Sequence, residues 1–115
     1  MVAILDKTRF IRSNETLRII VRCFYADRTT QRPLIGSTVK AKAVSEGGIV
    51  LFSATVTPVD HTAEIVVAQD VIEANGADIP DGAKIYFDAI AIWPGASTDV
   101  IAEGTFIWKI GVSAP

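Results

Sequence analysis

Alternation of apolar and polar positions runs through most of the chain, and it is densest over residues 16–26, TLRIIVRCFYA. Taken two by two, Leu17, Ile19, Val21, Cys23 and Tyr25 share one face, while Arg18 and Arg22 alternate with Ile20 and Phe24 on the other. Leu17, Ile20, Val21 and Phe24 also fall at helical spacing, but the β-branched and aromatic content and the turn-rich flanks favour a strand. This segment is read as the central strand.

The rest of the chain follows in short alternating units. Residues 2–11 read as an irregular edge strand or an arm, ended by the polar turn Ser13-Asn14-Glu15. After the central strand, residues 27–33 (DRTTQRP) form a polar loop in which Pro33 interrupts any hydrogen-bond ladder. Val39, Ala41 and Ala43 then face away from Lys40 and Lys42, and Glu46-Gly47-Gly48 makes a hairpin connection. In residues 49–58 the inward set is Val50, Phe52, Ala54 and Val56; after an Asp60-His61 turn, Ala63, Ile65 and Val67 alternate with Thr62, Glu64 and Val66.

Residues 68–77 (AQDVIEANGA) change character. Asp70 is placed to cap a short helical turn near 70–76, and Asn75-Gly76 suits a left-handed end. The turn Pro80-Asp81-Gly82 leads to a strand with Ile85, Phe87, Ala89, Ala91 and Trp93 on one face and Tyr86, Asp88, Ile90 and Ile92 on the other. Beyond Pro94-Gly95-Ala96-Ser97, a last run places Val100, Ala102, Gly104, Phe106, Trp108, Ile110 and Val112 together, opposite Glu103, Thr105, Ile107 and Lys109.

About seven strands joined by short turns, with one helical turn and no repeat, predict an all-β fold: an immunoglobulin-like antiparallel β-sandwich, with a small barrel as the alternative. At 115 residues there is room for one domain, 1–115, with residues 1–11 as an arm or edge strand and 111–115 as a tail. The net charge of −2 gives no general pull toward nucleic acid, and the arginines of the first third interleave with apolar residues instead of forming a run. No apolar segment approaches the ~20 residues that cross a bilayer, and the first residues lack a Sec signal pattern. Folding in a reducing cytoplasm is expected.

Candidate chemistry is sparse. Cys23 is the only cysteine and His61 the only histidine, so no intrachain disulfide and no His/Cys zinc site is expected, and Cys23 reads as a buried thiol. No Gly-x-Ser-x-Gly elbow or phosphate loop is present, and neither a catalytic residue nor a cofactor is assigned. Asp88 stands among apolar and aromatic residues, which predicts a carboxylate held by backbone amides or an arginine. A sugar-stacking platform of Trp93 and Trp108 requires both to face a groove, but both fall on apolar faces and read as core; a small-ligand or carbohydrate-binding module using Trp93, Tyr86 and loop carboxylates at one end of the sandwich is the competing possibility.

The positive signal is apolar excess. Ile20, Phe24, Ile90, Ile92 and Ile107 all fall opposite the core faces, and if they cluster on one sheet they mark a protein–protein interface. Loops or the first arm covering them is the alternative.

Three short segments add a resemblance. Arg12-Ser13-Asn14-Glu15-Thr16-Leu17 resembles the R-G-D-T-hydrophobic opening of immunoglobulin-like domains in tailed-phage structural proteins, with Asn14 and Glu15 in place of Gly-Asp. Pro33-Leu34-Ile35-Gly36-Ser37-Thr38-Val39 is similar to their dLtGaTv segment, and Glu103-Gly104-Thr105-Phe106 to the eGtf that opens their last strand. The resemblance implies a non-enzymatic virion protein, assembled in the host cytoplasm: a capsid decoration or cement protein, or a baseplate or tail accessory protein. Its implied partners are the major capsid protein or tail and baseplate subunits and further copies of itself, with no nucleic acid and no membrane. A carbohydrate- or ligand-binding module is the reading from another class.

Overall fold

In the computed structural model, which describes residues 2–6, 10–95 and 97–111, period-two burial dominates the chain and builds two β-sheets. Eight strands occur among the described residues: β1 (Val2–Asp6), β2 (Phe10–Arg12), β3 (Leu17–Phe24), β4 (Thr38–Ser45), β5 (Val50–Val56), β6 (Thr62–Val67), β7 (Lys84–Ile92) and β8 (Thr98–Lys109), with a helix α1 (Gln69–Asn75) between β6 and β7. One sheet has the order β1-β3-β6 and the other β2-β8-β7-β4-β5. The all-β expectation and the single short helix hold.

Two details differ from a seven-stranded antiparallel arrangement. The first strand is divided between the sheets: β1 pairs antiparallel with β3, and β2 pairs with β8 at the edge of the other sheet. The β2–β8 pairing is parallel, so the five-stranded sheet is mixed.

The inner faces of the two sheets meet in one core. Leu17, Ile19, Val21 and Cys23 of β3 and Ala63, Ile65 and Val67 of β6 pack with Val39, Ala41, Ala43, Ile85, Phe87, Ala89, Ala91, Phe106 and Trp108. Phe87 sits between Phe52 and Phe106, with ring centroids 6.2 and 6.1 Å apart. Burial pushes the Cys23 thiol above its ordinary value, which keeps it a neutral small hydrophobe. Tyr25, expected on this inner face, lies past the end of β3 and is exposed.

Strict alternation fails at two places, and both are bulges. Between β4 and β5 the register runs Ala43↔Phe52 and then Val44↔Val50, leaving Leu51 as the extra residue. Between β7 and β8 it runs Ala89↔Ala102 and then Ile90↔Val100, leaving Ile101. An inserted residue reverses the facing of what lies beyond it. Leu51 and Ile101 are therefore buried, while Val50 and Val100, expected inward, are 44% and 57% exposed. Ile110, also expected inward, follows the end of β8 and is exposed; Val112 lies outside the described residues.

The helix is fastened to this frame by its C-terminal end. Asn75 Nδ2 donates to the carbonyl oxygen of the bulge residue Leu51 at 2.9 Å. Gly76 has φ −92°, not the left-handed value expected, and its lack of a side chain has another cause. A Cβ there would stand 2.4 Å from Cη2 and Cζ2 of the fully buried Trp108. The N-cap position is Ala68 rather than Asp70, whose carboxylate instead accepts from the Val71 N–H at 3.0 Å.

Gly76→Ala is expected to destabilise the fold by about 1–3 kcal/mol through overpacking against Trp108. Intrinsic helix preference alone would act in the opposite direction. Urea unfolding measures the sign, and an unchanged or higher midpoint would contradict the packing described.

Candidate interaction surface

The outward positions of the five-stranded sheet form rows across its strands, fixed by the register. Thr38, Ile92 and Thr98 make one row, and Thr55, Lys40, Ile90 and Val100 the next. Ser53, Lys42, Asp88 and Glu103 follow, then Val50, Val44, Tyr86 and Thr105. A charged belt thus crosses the middle of the face, with apolar side chains on both sides of it. Tyr86 is half exposed beside a shallow depression of about 470 Å³ that Lys42, Val44, Asp88, Glu103 and Thr105 help to line.

The belt is divided by sign. Its cation Lys42, and Lys40 in the adjoining row, are on β4, and the anions Asp88 and Glu103 are on β7 and β8; Lys84 of β7 lies two rows away. Asp88 is exposed, so the partly buried carboxylate expected from its apolar neighbours is instead solvated: Phe87 and Ala89 point to the core, and Tyr86 and Ile90, which share its face, leave it open to water. It stands directly opposite Glu103, a cross-strand pairing of like charges that costs stability. Among the described residues none of Lys40, Lys42, Asp88 and Glu103 makes a hydrogen bond or ion pair. The three-stranded sheet contrasts with this, because its outward Arg18 pairs with Glu64 on the neighbouring strand.

The five apolar residues singled out in the sequence are all partly buried, and they divide between the sheets. Ile20 and Phe24 are on the outer face of β3, where β1 flanks them through the pairs Asp6↔Ile20 and Val2↔Phe24. The Phe24 ring meets His61 edge-on at 5.5 Å. Ile90 and Ile92 come together with Val100 on the five-stranded sheet. Ile107 lies at the other end of β7, opposite Lys84 and roughly 25 Å along the strand from Ile92. It adjoins Phe10, over whose ring Arg12 and Lys109 are placed. The five do not cluster on one sheet; Ile90 and Ile92 form a patch with Val100.

A second constellation closes one end of the molecule. The loop after β3 is organised by Asp27, which accepts from the Thr30 hydroxyl and from the N–H groups of Thr30 and Thr29 at 2.8 and 2.9 Å. The Thr30 hydroxyl, followed by the two N–H groups, holds the Asp27 carboxyl below its ordinary value. The loop folds back on β3, with Arg32 N–H donating to the Cys23 carbonyl at 3.0 Å. That delivers the Arg32 guanidinium over the Trp93 ring, 5.6 Å from its centroid, and onto Asp99 Oδ2 at 2.8 Å. The same carboxylate oxygen accepts from Trp93 Nε1 at 3.2 Å. Trp93 lies past the end of β7, half buried against the edge of the core and held there by Arg32 and Asp99, while Trp108 is in the core. Neither tryptophan joins Tyr86 in a stacking platform.

Among the described residues, no three His, Cys, Asp or Glu side chains gather into a metal-binding group, and no helix is long and apolar enough to cross a membrane. No family model, curated protein or solved structure matches the chain.

Arg32→Ala should shift the Trp93 contribution to fluorescence toward longer wavelength, leave the buried Trp108 contribution in place, and cost about 0.5–1 kcal/mol, the partial exposure of the Arg32–Asp99 pair to water keeping the figure small. Emission and unfolding curves read both effects. An unaltered spectrum would contradict the stacked arrangement.

Proposed function

We propose that this chain is a non-enzymatic structural subunit of a tailed-phage particle, acting as a capsid decoration or cement protein, with a baseplate or tail accessory position as the alternative. The observation that carries the reading is the outer face of the five-stranded sheet, where apolar residues flank charges that have no partner among the described residues. A protein that works by burying surface between neighbours needs such a face. Strand order adds support. A three-stranded sheet β1-β3-β6 packs on β2-β8-β7-β4-β5, with the first strand shared between them, and this order suits an immunoglobulin-like sandwich of the kind the sequence motifs resemble.

The mechanism is bridging. Contacts made only in the assembled particle stabilise it by mass action, with no covalent change. The surfaces proposed for it are the patch of Ile90, Ile92 and Val100, the outer face of β3 with Ile20 and Phe24, the Ile107 end of β8, and the segments 2–11 and 111–115. The partners are other virion subunits and further copies of this chain, and the location is the virion, after folding in the host cytoplasm.

The test is fractionation of particles made by cells carrying the genome that encodes the chain. Quantitative mass spectrometry of gradient-purified particles is expected to find it in copy numbers comparable to other structural subunits. Its confinement to the soluble fraction would refute the reading.

A further inference from the structure

We infer that the outer face of the five-stranded sheet closes against the same face of a second copy, about a two-fold axis running along the strands between β4 and β7. The inference deepens the proposed function and rests on its reading of this face as an assembly surface.

Positions 42 and 88 are cross-strand neighbours in one row, with position 53 outside the first and position 103 outside the second. A two-fold axis along the strands keeps each row at its height and reverses its left-to-right order. Lys42 of one copy then faces Asp88 of the other, twice over, and Ser53 faces Glu103. In the adjoining row Val44 faces Tyr86, apolar against aromatic. A two-fold axis across the strands at the belt would set Lys42 on Lys42 and Asp88 on Asp88. Of these two axes, the charges select the first.

Three observations point to a second copy as occupant. Around the belt the charges are segregated by strand, Lys40 and Lys42 on β4 and Asp88 and Glu103 on β7 and β8, with Lys84 of β7 two rows away; the Lys42 and Asp88 positions are therefore complementary to their own image and not to a surface of single sign. The four belt charges lack partners among the described residues, although Lys42 and Asp88 are neighbours. The like-charge contact between Asp88 and Glu103 is one that the second copy's Lys42 relieves. The apolar residues on either side of the belt supply the buried area, and aligned sheets pack about 10 Å apart, within the reach of these side chains.

The test is sedimentation over a dilution series. The unmodified protein is expected to be a reversible dimer. Lys42→Asp and Asp88→Lys, both at exposed positions, are each expected to weaken it on the order of tenfold or more. Circular dichroism and thermal melts check that each variant folds, and Tyr86→Lys provides a third, independent disruption.

An equimolar mixture of the Lys42→Asp and Asp88→Lys variants is expected to recover a one-to-one dimer, because each introduced charge meets the other across the axis. The contact between positions 42 and 88 within each copy stays unfavourable in the mixture, so recovery cannot come from inside one chain. A monomer at every concentration, a dimer indifferent to all three substitutions, or a mixture that stays monomeric would each overturn the proposal. None of these results alters where the chain is found in particle fractions, which is decided separately.

Discussion

A strand residue has only two directions to point, and the structure depends on where that choice is reset. In the five-stranded sheet it is reset twice, by Leu51 in β5 and Ile101 in β8. Each bulge buries two adjacent apolar residues, Leu51 with Phe52 and Ile101 with Ala102, and turns the preceding valine outward. Without them Val50 and Val100 would be core residues. With them the outer face gains apolar side chains on both sides of its charged belt, which is the feature its proposed use depends on. The bulges therefore set core composition and surface character together.

The first bulge is also a fastening point. Asn75, the last residue of α1, donates to the Leu51 carbonyl, and Gly76 beside it admits the Trp108 indole at a distance no side chain would allow. The backbone of Trp108 is in turn tied to the start of β7: its carbonyl accepts from Gly82 and its N–H donates to Ala83, both at 2.8 Å. The helix, the β5 bulge and the β7–β8 pair thus share one packing unit. Among the described residues Trp108 Nε1 has no hydrogen-bond partner, so it is the apolar ring that anchors this side chain.

Much of this was legible in the sequence, because most strands obey period two without interruption. Leu17, Ile19, Val21 and Cys23 in β3, Val39, Ala41 and Ala43 in β4, and Ala63, Ile65 and Val67 in β6 all face the core as their spacing predicts. The bulges were marked only by consecutive apolar residues, Val50-Leu51-Phe52 and Val100-Ile101-Ala102, a signal that simple alternation reads through. The division of the first strand between two sheets had no local signal, since pairing with β3 or β8 is settled by distant residues. The same holds for Arg32, Trp93 and Asp99, which belong to a loop, a strand end and the start of β8. Asn75-Gly76 was seen as the end of a helix, but its cause, the Leu51 carbonyl and the Trp108 ring, lies elsewhere in the chain.

Alanine variants at the two bulges show which way each residue faces. Leu51→Ala and Ile101→Ala should each lower unfolding free energy by about 2–4 kcal/mol, as buried truncations do. Val50→Ala and Val100→Ala should change it by no more than about 0.5 kcal/mol, as at exposed sites. The reverse order, with the valines costly and Leu51 and Ile101 nearly neutral, would mean that the strands alternate without bulges and that the outer face described here is wrongly composed.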